Sequence, residues 1–285
     1  MNERPLSGRT AIITGAGRGL GKSMAVGLAS RGAQVALLDI EEDILLPAKR
    51  EVEAAGGQGC ALSLTCDVTE VENVNVAVKK TIENFGGIDI LINDAAMGPQ
   101  YFTKDFTKNT PKFWEMNLEL WQRVLTVNSF GPHLMAGAIA PYLIKRGWGR
   151  IINVTTSLDT MYLRGCGAYG PSKAALEANT RIMAQDLEGT GVTANILIPG
   201  GPANTRMIPE ETGFDRTELV QPEDMQAPIC WLCSSEADKI NNKRFIAARW
   251  DETTPIQERI AKAGAPTAWE QVGSLSQRPS GWKDD

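Results

Sequence analysis

Short apolar runs rich in β-branched residues alternate along the chain with longer segments in which apolar residues recur at helical spacing. The run at 10–14 is followed by a Gly-rich loop, a helical segment at 20–31 and a second run at 34–38, together the length of a β-α-β unit. Near-continuous apolar strands separated by helices are typical of a parallel sheet covered on both faces. The pattern therefore predicts an α/β fold with a doubly wound parallel sheet.

The alternation extends over most of the chain, without an internal repeat or a low-complexity linker. The predicted strands are residues 10–14, 34–38, 61–66, 88–92, 150–155, 193–198 and 244–248. The predicted helices are residues 20–31, 70–85, 118–145, 171–188 and 222–234. We expect a single domain over residues 1–250 and a C-terminal extension over residues 251–285, which are polar and contain Pro266 and Pro279.

Three connections after predicted strands, at 98–114, 158–168 and 203–219, are rich in aromatic residues and Met. Long loops in compact domains are commonly functional, and substrate contacts in doubly wound folds come from loops at the carboxyl ends of the strands. Their apolar side chains are Tyr101, Phe102, Phe106, Phe113, Trp114, Met161, Tyr162, Met207 and Phe214. They suit an apolar, ring-containing alcohol or ketone, and they equally suit packing of the loops on their own scaffold.

Composition narrows the function classes. The chain has 285 residues with 29 Lys+Arg against 34 Asp+Glu, a net charge of −5, and its basic residues are not clustered. Such a charge does not favour binding to nucleic acid or to an anionic membrane. No apolar stretch is long enough to span a bilayer, and the start lacks the apolar core of a secretory signal. We expect a soluble, cytoplasmic protein.

Histidine and cysteine are sparse. The one histidine, His133, would have to serve any His-based metal cage or Ser/His/Asp triad, so neither is favoured and no metal site is predicted. The five cysteines do not suggest a disulfide framework. Cys230 and Cys233 have redox spacing, but the helical pattern around them places both on one buried face, which favours a core role.

The Gly-rich loop after the first strand has the form of a phosphate-binding turn. Gly15, Gly19 and Gly21 would allow a tight turn and close backbone approach, so that the N–H groups of the next helix could meet a pyrophosphate. Asp39, at the end of the second strand, could accept hydrogen bonds from an adenosine ribose. No cation follows it at 40–43, whereas Arg18 could pair with a 2′-phosphate. The pattern favours NAD over NADP.

Tyr169 and Lys173 lie at the start of a predicted helix. A spacing of four places them as neighbours on one face. An adjacent ammonium favours the phenolate, so we expect the pKa of Tyr169 to be lowered towards neutral pH. The phenol could then act as general acid and base on an alcohol or carbonyl oxygen.

Together these motifs resemble the short-chain dehydrogenase/reductase family over residues 5–250. The matching residues, in order, are Thr14, Gly15, Gly19, Leu20, Gly21, Asp67, Val68, the run Asn93-Asp94-Ala95-Ala96, Asn128, the run Asn153-Val154-Thr155-Thr156-Ser157, Tyr169, Lys173, Pro199 and Gly200. The resemblance implies a Rossmann-type fold, a nicotinamide cofactor, NAD(P)-dependent interconversion of a secondary alcohol and a ketone, and a homo-oligomer, a tetramer or a dimer.

The resemblance also implies roles for individual residues. Tyr169 would exchange the substrate proton, Lys173 would bind the nicotinamide ribose, and Asn128 would hold a water in a proton relay. A hydroxyl from Thr156 or Ser157 would orient the substrate oxygen: Thr156 has the family's spacing from Tyr169, and Ser157 has its residue type. The implied cofactor contacts are Gly15, Arg18, Gly19, Leu20, Gly21, Asp39, Asp67, Val68, Asn93, Tyr169, Lys173, Pro199 and Thr205.

Two departures from the family pattern leave alternatives open. Asn93-Asp94-Ala95-Ala96 stands where the family has Asn-Asn-Ala-Gly, which adds a charge and a methyl group near the cofactor. The segment after Pro199 is one residue longer than usual, which makes the contact from Thr205 less secure. The predicted enzyme is an NAD-dependent short-chain alcohol dehydrogenase or carbonyl reductase. The alternatives are the same cofactor chemistry on an imine or a cyclic diol, and a non-catalytic dinucleotide-binding protein.

Overall fold

A computed structural model describes residues 4–269, and in this part of the chain eight strands form one sheet. The strands are β1 (Thr10–Thr14), β2 (Gln34–Asp39), β3 (Ala61–Thr65), β4 (Ile90–Asn93), β5 (Gly149–Val154), β6 (Val192–Ile198), β7 (Lys243–Ile246) and β8 (Gly264–Pro266). The first seven overlap the seven predicted strands, with ends that differ by at most two residues.

Nine α-helices lie between these strands in the described residues. They are α1 (Gly19–Ser30), α2 (Glu42–Gly56), α3 (Val71–Phe85), α4 (Leu118–Leu125), α5 (Gly131–Arg146), α6 (Leu158–Met161), α7 (Tyr169–Asp186), α8 (Gln226–Leu232) and α9 (Ile256–Ala263). The predicted helix at 118–145 is interrupted by a π turn, Thr126–Phe130, which joins α4 to α5. Helix α2 was not predicted, because it buries only Leu45, Ala48 and Val52 and carries Pro47 in its interior.

The strand order is β3-β2-β1-β4-β5-β6-β7-β8, and β1 to β7 are parallel. Thr14 pairs with Asn93, and Asn93 pairs with Asn153, so the carboxyl ends of the central strands lie side by side. The chain leaves β1 towards β3 on one side and returns to β4 on the other. The crevice at such a reversal is where ligands bind in doubly wound folds.

Two apolar cores cover the two faces of the sheet. Neighbouring residues on one strand enter opposite cores: Ile13 and Leu37 pack with α1 and α8, whereas Ile12 and Leu38 pack with α3 and α5. Both faces of the central strands β1, β4, β5 and β6 are therefore buried. This explains why the strands read as continuous apolar runs rather than as alternating ones.

The beginning of the predicted C-terminal extension packs onto the sheet. Strand β8 pairs antiparallel with β7, with Ala265 opposite Arg244, and the following Thr267 and Ala268 are buried. A three-residue edge strand that contains Pro266 has almost no sequence signal, because proline lacks the N–H of a ladder hydrogen bond. Residues 270–285 lie outside the described part of the chain.

Other expectations from composition can be compared with the structure. All five cysteines are free, and burial raises the pKa of Cys230 to about 12 and also raises that of Cys233. Both thiols belong to the core beside α1. Within residues 4–269 there is no group of three or more His, Cys, Asp or Glu side chains that could hold a metal ion. No helix of that part is long and apolar enough to cross a membrane.

Candidate active site

A cavity of about 680 Å³ opens at the carboxyl edge of the sheet, lined by the loops that follow β1 to β6. It brings together most of the predicted site residues. Those in its wall are Gly15, Arg18, Gly19, Leu20, Asp39, Asp67, Val68, Thr156, Ser157, Tyr169, Lys173, Pro199 and Thr205. Gly21, Asn93 and Asn128 are not among its lining residues and lie directly behind the wall.

The turn between β1 and α1 leaves no room for side chains at two of its glycines. Gly15 has a φ of +67°, and a Cβ there would lie 2.9 Å from the backbone N of Ala95. A Cβ on Gly21 would lie 2.4 Å from the carbonyl oxygen of Gly15. Arg18, which precedes α1, has no side-chain hydrogen bond capping the helix. The N–H of Gly21 is bonded to the Asp94 carboxylate, so Gly19 and Leu20 are the first-turn residues whose N–H groups could meet an anion such as the pyrophosphate of a dinucleotide.

Asp39 is held at the end of β2 with its carboxylate facing the Gly-rich turn. One oxygen accepts a hydrogen bond from Gly17 N–H at 3.0 Å, and the other accepts one from Glu41 N–H at 3.1 Å. This carboxylate lines the cavity, so the arrangement fits a ribose diol near Asp39.

Two arginines line the same part of the cavity as Asp39, although neither belongs to the 40–43 segment directly after it. Arg18 forms an ion pair with Glu41, and Arg206 reaches the same carboxylate at 3.2 Å from the loop after β6. The hydrogen bond from Arg18, reinforced by the charges of Arg18 and Arg206, holds the pKa of Glu41 below its usual value against the opposing effect of burial. Sequence reasoning missed the contact between Arg206 and Glu41 because the two residues lie 165 positions apart. Both guanidinium groups are paired with Glu41.

Asp67 and Val68 form the wall after β3. Asp67 Oδ1 accepts hydrogen bonds from the backbone N–H and the hydroxyl of Thr69, and Oδ2 lies 2.7 Å from Arg123 Nη2. Val68 packs against Gly131 at the start of α5, where a Cβ would approach within 2.8 Å. The Asp67 side chain is thus fixed by its own loop and by α4.

Tyr169 begins α7, and Lys173 lies one turn further along the same helix. The Lys173 Nζ is 6.0 Å from the centre of the Tyr169 ring and donates a hydrogen bond to the Val154 carbonyl oxygen at 2.7 Å. Both side chains are buried and both line the cavity.

The expected lowering of the Tyr169 pKa is wrong for this structure. Burial raises the pKa of Tyr169 to about 12, opposed by a hydrogen bond from the Thr156 side chain. Burial also lowers the pKa of Lys173, since a buried ammonium loses its hydration. The prediction rested on spacing, which places the two groups close together but does not say how much water surrounds them.

The hydroxyls of Thr156 and Ser157, both predicted to orient the substrate oxygen, have different hydrogen-bond partners. Thr156 hydrogen-bonds the Tyr169 phenol. Ser157 precedes α6, where its Oγ lies 2.7 Å from Thr160 Oγ1 and accepts a hydrogen bond from Thr160 N–H at 3.3 Å. Both line the cavity, but the Ser157 hydroxyl is engaged in capping a helix.

Asn128 sits in the π turn between α4 and α5 and is completely buried. Its Oδ1 accepts from Met97 N–H at 2.8 Å, and its Nδ2 donates to the Met97 carbonyl and to Ser172 Oγ, both at 2.9 Å. Asn93 similarly donates to Asn153 Oδ1 at 2.8 Å. These amides tie neighbouring elements together behind the wall, and the water relay implied for Asn128 stays a prediction.

Asp94 is a site residue that the sequence marked only as a departure from a pattern. It lines the cavity, and its carboxylate accepts a hydrogen bond from Gly21 N–H. Burial raises the pKa of Asp94, opposed mainly by the charge of Lys173, and Asp94 in turn favours the charged form of Lys173. The sequence signal for Asp94 was its carboxylate, at a position where the family has an amide. Such a residue places a charge under the Gly-rich turn.

The wall beyond the Tyr169 hydroxyl is mainly apolar. Its lining side chains include Met97, Pro99, Tyr101, Phe106, Leu163, Cys166, Met207, Ile208 and Phe214. Phe113, Trp114 and Tyr162, also expected at a substrate surface, do not line the cavity and are 79%, 69% and 76% exposed. Gln100 is a polar residue in this wall, and its Oε1 is buried without a hydrogen-bond partner in the described residues.

Replacing Asp94 by Asn tests the buried charge. Because burial raises the folded-state pKa of Asp94, the wild type loses stability as the pH rises through that pKa, and the Asn variant does not. The free energy of unfolding of Asp94→Asn relative to wild type should therefore increase by about 1 kcal/mol or more between about pH 5 and about pH 8. Loss of Asp94 lowers the Lys173 pKa further, which acts in the same direction.

Denaturant unfolding at several pH values measures this difference, with Asp186→Asn at the exposed end of α7 as the matched control. The free energy of unfolding of Asp186→Asn should change with pH as that of wild type does. If Asp94→Asn also runs parallel to wild type, the carboxylate carries no perturbed charge in the folded protein.

Comparisons with known proteins agree with this geometry. The sequence model of the short chain dehydrogenase family matches residues 9–213. A short-chain type dehydrogenase/reductase from Picea abies is 32% identical over 253 residues, covering 83% of this chain and 89% of that protein. A 2,5-dichloro-2,5-cyclohexadiene-1,4-diol dehydrogenase from Sphingobium indicum is 30% identical, covering 82% and 92%.

Solved structures show the same likeness. A hydroxysteroid dehydrogenase from Escherichia coli superposes with a TM-score of 0.71 at 30% identity, covering 84% of this chain and 94% of that one. A short-chain type dehydrogenase/reductase from Mycobacterium marinum has a TM-score of 0.74 at 27% identity, with the same coverage. The chain therefore belongs to the short-chain dehydrogenase/reductase family, as the order of its sequence motifs predicts.

Proposed function

We propose that this protein is an NAD-dependent oxidoreductase that interconverts a secondary alcohol and a ketone. The observation that carries the proposal is the Tyr169 phenol, hydrogen-bonded by Thr156, in the wall of a cavity that also presents Lys173 and the Gly-rich turn. A nicotinamide dinucleotide supplies the hydride acceptor or donor when bound. The residues that would hold it are those of the turn together with Asp39, Asp67 and Lys173.

The chain's own residues handle the substrate oxygen. Thr156 and Tyr169 together can hold that oxygen between two hydroxyls. In the reducing direction the Tyr169 phenol, whose raised pKa keeps it protonated at neutral pH, donates its proton to the developing alkoxide. In the oxidising direction the phenol must first lose its proton, so the rate of alcohol oxidation should rise with pH. Lys173, fixed on the Val154 carbonyl, keeps a positive charge close to the phenolate.

The proposal predicts that Tyr169→Phe loses turnover by about 10²–10⁴-fold, since general acid and base catalysis contributes roughly that much. NADH binding, followed by fluorescence, should change little because the ring remains. Tyr162→Phe is the matched control, since this phenol is exposed and bonds only Asp159 in the described residues. Turnover of Tyr169→Phe at the wild-type rate would refute the proposed mechanism.

The lining of the cavity supports an apolar substrate with one further polar group. The aromatic and Met side chains suit a ring, and the unpartnered Gln100 oxygen suits a hydrogen-bond donor such as a second hydroxyl. The relatives include a cyclohexadiene diol dehydrogenase and a 7alpha-hydroxysteroid dehydrogenase, whose named substrates carry hydroxyls on rings. Ring alcohols and ketones, imines and cyclic diols, followed at the NADH absorbance band, separate the proposed reaction from its alternatives. NADH binding without turnover on all of them would favour a non-catalytic role.

Preference for NAD over NADP is proposed from the charges beside the turn. A 2′-phosphate near Asp39 would meet that carboxylate and Glu41, and the two nearby arginines are already paired with Glu41. We expect NAD to be used at least tenfold more efficiently than NADP, a difference of about 1.4 kcal/mol. Asp39→Asn should weaken NAD and improve NADP, whereas Asp43→Asn, exposed in the first turn of α2, should change neither. Equal use of both cofactors by the wild type would refute the preference.

We also propose a cytoplasmic homo-oligomer, a tetramer or a dimer, that packs through the long helices. Leu118 in α4 and Ile182 in α7 are 80% and 53% exposed, and Tyr142 and Ile144 add apolar surface on α5. Exposed apolar side chains on neighbouring helices are typical of subunit contacts. Light scattering at micromolar concentration should give a multiple of the 30.9 kDa chain mass, and a monomer would refute the assembly.

A further inference from the structure

A buried ion pair lies behind the segment that carries Thr156. Glu177 on α7 and Arg244 on β7 approach to 3.1 Å, with side chains that are 0% and 7% exposed. Neither residue lines the cavity. Burying two charges costs considerable desolvation free energy, and a stable core does not need them. The presence of this ion pair therefore indicates that it fixes the position of neighbouring residues.

Each partner of this ion pair holds one residue of the Thr155–Thr156 segment. The Thr155 hydroxyl donates a hydrogen bond to Glu177 Oε2 at 2.9 Å, and Arg244 Nη2 donates one to the Thr156 carbonyl oxygen at 2.8 Å. Strand β5 ends at Val154, so Thr155 and Thr156 are beyond the sheet's ladder hydrogen bonds. The ion pair supplies the contacts that the ladder no longer provides at this point.

Two residues after β8, Thr267 and Ala268, complete the surroundings of the ion pair. Ala268 N–H donates to Glu177 Oε1 at 3.2 Å, and Thr267 bonds Asn242, which directly precedes β7. Ala268 has a φ of 55°, a left-handed conformation that a non-glycine residue adopts only when its surroundings hold it there. Thr267 and Ala268 thus close the carboxylate of Glu177 away from water.

We propose that Glu177 and Arg244 are positioning residues: they fix the Thr155–Thr156 segment so that the Thr156 hydroxyl stays on the Tyr169 phenol and on the substrate oxygen. This rests on the proposed function, because it assigns the ion pair an effect through Thr156. Residues 267–268 belong to the same set of contacts around Glu177. The end of the described part of the chain therefore helps to support the active site.

The test is a double variant, Glu177→Leu/Arg244→Met, which removes both hydrogen bonds to the segment and leaves no unpaired buried charge. We expect kcat to fall by about tenfold or more, as for misplacement of a catalytic group, with NADH affinity within about twofold of wild type. In a Thr156→Val background the same double change should lower kcat by less than about twofold, because residues acting through one group are not additive.

The pH dependence of kcat/KM for alcohol oxidation is a second measurement. Loss of stability alone would not change it. The Thr156 hydrogen bond lowers the pKa of Tyr169, so its loss should shift the pH rise of kcat/KM for alcohol oxidation to higher pH. The double variant and Thr156→Val should show the same shift. Arg150→Met is the matched control, since Arg150 is also a fully buried arginine but lies at the opposite end of β5. The Arg150→Met variant should unfold at a lower temperature than wild type, and its pH profile of kcat/KM should be unchanged.

Two results would overturn the positioning role: wild-type kcat in the double variant, or the same fold loss in the wild-type and Thr156→Val backgrounds. If the double variant does not fold, Thr155→Val removes only the bond to Glu177 and should lower kcat without changing NADH affinity. Unchanged turnover in both Tyr169→Phe and Thr156→Val would refute the proposed function itself, and the positioning role with it. Activity lost in those two variants but kept in Thr155→Val and the double variant would refute the positioning role alone.

Discussion

The parallel arrangement of the central strands is the constraint on which the site depends. Because each strand runs in the same direction, all their carboxyl ends meet at one edge, and the loops that follow them share one cavity. Residues as distant in sequence as Asp39, Thr156 and Tyr169 are neighbours in its wall for this reason. The covering of both faces by helices makes the central strands largely apolar, so most of the polar residues that carry the chemistry lie at the ends of strands, in the loops and near the starts of helices.

Burial decides the electrostatics of this edge more than residue spacing does. The cavity wall contains a phenol, an ammonium and a carboxylate that have lost most of their hydration: Tyr169, Lys173 and Asp94. Burial disfavours the charged form of each, so the pKa of the tyrosine and of the aspartate rises and that of the lysine falls. The arrangement keeps the phenol protonated and leaves the positive charge of Lys173 dependent on Asp94. A family motif of uncharged amides would not impose that dependence.

The support of the site extends to parts of the chain that carry no recognisable motif. Glu177 lies two helical turns beyond Tyr169, and Arg244 comes from the last parallel strand. Ala268 belongs to the region that the polarity pattern separates from the domain, yet it bonds Glu177 in the interior. A short edge strand with a proline carries almost no sequence pattern, and a helix of eight residues spans little more than two turns, so neither was predicted from the sequence.

The sequence by itself determined the fold class, the positions of the seven parallel strands along the chain, the family, and most of the residues that meet at the carboxyl edge. These follow from local periodicity, from glycine sterics in one turn and from the order of short motifs. Tertiary structure alone decided that Thr156 faces the phenol while Ser157 caps a helix, and that Arg206 reaches Glu41. It also decided that burial sets the Tyr169 pKa. Hydrogen-bond partners and hydration depend on contacts between residues far apart in the chain, which spacing along the sequence does not specify.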